Sequence, residues 1–178
     1  MTEGERQIGG EGRRPGAVLF VYSWDLLLAL GAIIAALAAF GGGLSVGDQT
    51  VDVPVPLQIG SALRSAAYAA ALIIVATLLT RRLRWVRQAQ MVILALAIVL
   101  IVISLVTGRV IGKHGADYPV LLGNVLFVLI DATAIVVMTG RRVREWYQGP
   151  GDVPVYVRGT IAFWAAASAA LLVLQAFR

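Results

Sequence analysis

The chain has 178 residues, of which 59% are hydrophobic and 14% charged, with a net charge of +5 and no cysteine. Soluble domains average about 45–50% apolar and about 25% charged residues, so this composition excludes an ordinary water-soluble fold. The absence of cysteine excludes disulfides, thiolate metal sites and cysteine nucleophiles, and a single histidine, His114, excludes a cluster of imidazole ligands within one chain.

Residues 1–16 are polar and glycine-rich and are predicted to be a disordered leader. Beyond them, apolar stretches recur. Crossing a hydrocarbon core of about 30 Å takes roughly 20 apolar residues in a helix rising about 1.5 Å per residue. Five stretches meet or approach that length, at about 17–40, 59–79, 89–107, 120–139 and 160–177. They are continuous rather than alternating, which argues against a β-barrel, and in lipid such segments must satisfy their backbone as helices. The expected fold is therefore all-α, a polytopic transmembrane bundle of five spans forming a single domain over residues 17–178. Within span one, Ala36-Leu37-Ala38 resembles a signal-peptide cleavage motif. The length of the apolar stretch, the acidic leader and Asp25 favour an uncleaved span.

The first link, residues 41–58, opens on Gly41-Gly42-Gly43 and then alternates apolar residues with Asp and Pro. That pattern predicts an extended strand or hairpin on the outer surface, and Pro54 and Pro56 are read as excluding a helix there. The tetrapeptide Asp-Val-Pro-Val occurs at 52–55 and again at 152–155, each time shortly before a span. Those spans run in opposite directions, so an inverted repeat is one reading and chance in a valine-rich chain the other.

Orientation follows from Lys and Arg in the links. The leader holds Arg6, Arg13 and Arg14; the first link holds none; the second holds Arg81, Arg82, Arg84 and Arg87. The third holds Arg109 and Lys113, the fourth Arg141, Arg142, Arg144 and Arg158, and the tail only Arg178. The alternation predicts a cytoplasmic amino terminus and an external carboxyl terminus. It also accounts for the basic charge without nucleic acid as a partner. Trp85, Trp146, Tyr147, Tyr118 and Tyr156 fall near span ends and are expected to form interfacial belts. The fourth link is expected to lie flat on the cytoplasmic leaflet.

Ionisable groups inside a span cost about 2.5–3.5 kcal/mol each at the centre on insertion scales, which makes them the first candidates for function. Asp25 in span one and Asp131 in span four are each eight residues from the cytoplasmic end, about 12 Å deep. If spans one and four are neighbours, the two carboxyls can share a proton or hold a cation; otherwise each fixes packing through hydrogen bonds. Tyr22, Ser23 and Trp24 suggest local hydration at Asp25. Arg64, nearer the outer end of span two, is expected to snorkel to headgroups. Asn124 lies seven residues before Asp131, on the same face, so a polar seam between spans two and four is a further reading.

Small residues allow helices to approach closely. Ala29, Ala32 and Ala36 mark such a row in span one, and Ala162, Ala166 and Ala169 in span five. Span three, almost purely aliphatic, is expected to face lipid or a flat partner. The only lysine, Lys113, is in a link, which argues against retinal, and no phosphate-binding GxxxxGK[ST] loop is present. His114 reads as a solvated loop residue. No catalytic site, metal or cofactor is expected. Fourteen of the fifteen basic residues are arginine, a bias that hints at a bacterial cytoplasmic membrane. The reading is a small accessory or scaffold subunit, partnered by lipid and by other membrane subunits or itself. The alternative is a small oligomeric proton- or cation-coupled transporter or channel using Asp131 and Asp25.

Overall fold

A computed structural model describes the backbone of residues 15–40, 43–46, 49–52, 54–111 and 118–176. The elements are α1 (Gly16–Phe40), β1 (Gly43–Val46), β2 (Gln49–Asp52), α2 (Val55–Leu78), α3 (Arg84–Ile111), α4 (Tyr118–Thr139), α5 (Arg141–Trp146) and α6 (Val155–Ala176). The leader expected over residues 1–16 falls almost wholly outside the described residues, as do Lys113 and His114. α1, α2, α3, α4 and α6 are each long and apolar enough to cross a membrane, which is compatible with a multi-pass integral membrane protein. β1 and β2 pair antiparallel, with Gly43 opposite Asp52 and Val46 opposite Gln49.

Three helices start before their apolar runs do. α2 begins at Val55, with Pro54 as its N-cap residue and Pro56 inside its first turn. The reading that these prolines exclude a helix is corrected here. Proline lacks only an N–H that the first turn has no partner for, and its fixed φ suits a helix start. α3 begins at Arg84 and α6 at Val155, each carrying a polar first turn or two ahead of its apolar stretch. The short α5 occupies part of the fourth link and was not foreseen.

α1 packs along α2, α2 along α6, and α3 along α4, with lesser contacts of α1 with α4 and of α3 with α2 and α6. The order around the bundle is thus α1, α2, α6, α3, α4. Helical spacing explains which faces turn inward. On α1 the buried positions are Val18, Val21, Asp25, Ala29, Ala32 and Ala36, one stripe at intervals of three and four. On α3 they are Trp85, Val86, Ala89, Gln90, Ile93, Leu94 and Ala97. The aliphatic third span is therefore a core helix along its first half and not simply a lipid-facing one.

At one end of the bundle the turn between α2 and α3 is clasped to the segment between α5 and α6. The Gly149 N–H donates to the Arg82 carbonyl at 2.8 Å, and the Arg84 N–H donates to the Gly149 carbonyl at 3.0 Å. The Tyr147 hydroxyl donates to the Leu79 carbonyl at 2.7 Å, satisfying an acceptor that the end of α2 leaves open. A Cβ on Gly149 would stand 2.7 Å from the Arg82 oxygen, so the close backbone approach requires glycine. Arg82 lies over the Trp146 ring, 4.0 Å from its centroid. Trp85 and Tyr147 are 4% and 1% exposed, so they fill the core rather than a headgroup belt. Tyr118 and Tyr156 remain exposed, as a belt requires. The fourth link is folded onto its neighbour through Val143, Tyr147 and Gly149 and does not merely lie flat.

Candidate functional site

The two aspartates are brought into one region. α1 and α4 are neighbours, and Asp25 and Asp131 are 0% and 1% exposed. They lie within electrostatic range of each other, and Tyr68 of α2 lies within range of both. The hydration suggested for Asp25 by its polar neighbours is corrected by this burial. Ser23 points outward on the helix while Asp25 falls on the inward stripe, two residues or about 200° away.

Each carboxylate has one partner from another helix. Gln90 Nε2 of α3 donates to Asp25 Oδ1 at 2.7 Å, a fully buried hydrogen bond between α1 and α3. Trp24 Nε1 donates to Asp131 Oδ1 at 2.7 Å, tying α1 to α4. Trp24 also meets Phe127 at 5.8 Å between ring centroids, so one indole packs and donates at the same joint. Tyr68 stacks on Trp164 of α6 at 4.6 Å, closing the site on the far side. Asp25 Oδ2 and Gln90 Oε1 are buried with no hydrogen-bond partner. Below the cluster, Arg87 Nη1 approaches the Met138 carbonyl at 3.5 Å, a long contact across α3 and α4.

Gln90 is the member that sequence reasoning missed. It sits at the start of the third span, immediately before the clean apolar run that begins at Met91. Its signal is its spacing: Val86, Gln90, Ile93 and Ala97 fall on one helical face, which turns the amide inward with its apolar neighbours. In the sequence Trp24 suggests only hydration at Asp25, and its role as a donor depends on where α4 lies.

The remaining candidates lie apart. Arg64 is half-buried on α2 and meets no acidic partner among the described residues. Asn124 is half-buried on α4, seven residues from Asp131. α2 packs along α1, α3 and α6, and its Tyr68 comes within electrostatic range of Asp131 on α4. Ala29, Ala32 and Ala36 are packed inside the bundle at 2%, 9% and 9% exposure. Ala162, Ala166 and Ala169 are exposed. Helix α6 packs inward through Val157, Trp164, Ser168 and Leu171 instead, leaving the alanine row on its outer side. Ala162 lines an apolar groove of about 340 Å³ between α3 and α6, with Gln88 and Arg158 also in its wall.

Chemically, the arrangement can hold and exchange a proton between carboxyls or lock three helices together by hydrogen bonds. No group of three or more metal-binding side chains occurs among the described residues. Compared with protein-family models, with curated proteins and with solved structures, the chain matches none.

Proposed function

We propose that the chain is a non-catalytic integral membrane protein that serves as an accessory or scaffold subunit of a larger membrane assembly. One observation carries this reading: toward one end α3 and α4 bury no described side chain, while α1, α2 and α6 stay packed through Ala36, Ala62 and Leu171. α3 has no buried residue from Ile98 to Val106, and α4 has none from Leu121 to Ile130, among the described side chains. The two helices therefore present Val99, Val102, Val106, Leu122, Leu126 and Leu129 outward. The outward alanine row of α6 offers a second close-packing face. The Arg-rich links favour a cytoplasmic amino terminus and an external carboxyl terminus, with the β1–β2 ladder on the outer side, in a bacterial cytoplasmic membrane.

The native chain lacks cysteine, so single-cysteine cross-linking is free of background. Leu126→Cys and Val102→Cys are expected to capture another subunit in native membranes, and mild-detergent purification to recover unrelated subunits in fixed ratio. A stable homo-oligomer with no other chain argues against the proposal. Tags at the two termini are expected to be reached from opposite compartments; labelling of both from one side overturns the five-span topology.

The buried acid pair favours a second reading, a small oligomeric transporter coupled to protons or cations. In that case Asp131→Asn abolishes a proton- or cation-dependent flux in liposomes while the folded bundle persists. Normal flux in that variant removes the reading.

A further inference from the structure

We infer that Asp25 is a proton-binding site in the resting bundle: the side chain is the neutral acid, its Oδ2–H paired with the Gln90 amide oxygen. The inference stands apart from both functional readings, because it concerns the state of one side chain and not what the protein transports or supports.

Donors and acceptors at the Asp25–Gln90 joint do not balance. Asp25 and Gln90 are both 0% exposed, so water does not complete their bonding from bulk solvent. Their contact is one amide N–H on Asp25 Oδ1 at 2.7 Å. Asp25 Oδ2 and Gln90 Oε1 are then left as two buried acceptors without a donor, both belonging to the same pair of side chains. Leaving a buried polar atom unpaired costs about 1–3 kcal/mol, and more if it carries charge. A single proton on Oδ2 removes both deficits: it turns one acceptor into a donor and supplies that donor to the other. A carboxylic acid and a primary amide are matched for this pairing, since each then gives one hydrogen bond and receives one.

The surroundings decide which carboxyl holds the proton. From α4, Asp131 lies within electrostatic range of Asp25 and accepts from the Trp24 indole, a donor that suits an anion. From α2 comes the Tyr68 phenol, and from α6 only the Trp164 ring stacked behind it. From α3, Arg87 is one turn before Gln90 and aims Nη1 at the Met138 carbonyl. No cation is paired to Asp25 among the described residues. Burial disfavours the charged form of either acid, and the unpaired oxygen at Asp25 is where a proton completes the bonding.

The test is infrared spectroscopy of the purified chain in lipid nanodiscs at neutral pH, with thermal unfolding alongside. The wild type is expected to show a protonated carboxylic-acid C=O band that shifts in D₂O. The band is lost in Asp25→Asn and kept in Asp131→Asn. Asp25→Asn is expected to fold with an unchanged thermal midpoint, because its amide supplies the same N–H donor to Gln90. Should that variant fail to fold, Gln90→Leu keeps the question open to measurement: removing the acceptor moves the acid band to higher frequency. Absence of the band in the wild type overturns the inference, as does its loss in Asp131→Asn but not in Asp25→Asn. No acid band together with a midpoint that rises with sodium would instead place a monovalent cation between the oxygens, and would equally overturn it.

Discussion

The two ends of this bundle differ in what holds them. At the end bearing the α2–α3 turn and α5, side chains interlock: Tyr147, Trp85, Val86, Leu79 and Met138 are almost fully buried, and the links are hydrogen-bonded to each other. At the opposite end α3 and α4 pass without burying a described side chain beyond Ala97 or ahead of Asp131. The open stretch of α3 is the more apolar of its two halves, so apolar content alone does not produce packing. In lipid an aliphatic side chain gains little by leaving the solvent for a neighbour, and association depends on polar bonds and on small residues that fit. The packed end has both. Asp25, Gln90, Trp24 and Asp131 bond α1 to α3 and α4, and Gly149 lets two links touch. The open stretches of α3 and α4 carry only Ser104, Gly123 and Asn124 among their apolar side chains. Tertiary structure in this chain follows small residues where α1 meets α2, and polar groups where α1 is bonded to α3 and α4.

That comparison can be broken at its strongest point first. Gly149→Ala places a Cβ 2.7 Å from the Arg82 oxygen and must push the two links apart. We expect a loss of about 3 kcal/mol in detergent unfolding, in the range of backbone-strain and overpacking variants. A loss within experimental error would show that the clasp is incidental. Next is Trp24→Phe, which keeps the ring contact with Phe127 but removes the donor to buried Asp131. The expected cost is about 1–2 kcal/mol, toward the upper end for hydrogen bonds between membrane helices. Tyr147→Phe removes the donor to the Leu79 carbonyl and should cost about 1 kcal/mol by the same measurement.

At the open end, Leu126→Ala is expected to change the unfolding of the isolated chain by less than about 0.5 kcal/mol. The same substitution should weaken recovery of partner subunits from native membranes if α4 forms an interface. Stability loss as large as at Gly149 would mean that the open end is packed in the working protein. The smallest effect is at the exposed Arg141–Glu145 pair, spaced one helical turn apart on α5 with Arg141 Nε 2.8 Å from Glu145. There Arg141→Ala should leave unfolding unmoved, since exposed ion pairs are screened and entropically costly.

Where the sequence misled, it did so at helix starts and at aromatic residues, for two different reasons. Apolar length marks where a helix is lipid-compatible, not where it is hydrogen-bonded, so α3 and α6 begin turns ahead of their greasy runs. Trp85 and Tyr147 carry the composition of an interfacial belt, and nothing local distinguishes a ring lying among headgroups from one capping the end of a neighbouring helix. The matched depth of Asp25 and Asp131 was legible because depth is a count of residues along two helices. Their partners were not. Gln90 becomes part of the site only when the face of α3 that bears it is turned inward, toward Asp25 of α1.

The sequence by itself determined the five apolar helices and the two acids buried among them, because the length of an apolar run and the cost of a charge in oil are properties of single segments. Only the tertiary structure decided which helices are neighbours, that Gln90 and Trp24 bond the two aspartates, and that α6 turns its alanine row outward. Those outcomes depend on the pairing of polar groups between segments far apart in the chain, and an apolar pattern, equally content against lipid or protein, does not encode that pairing.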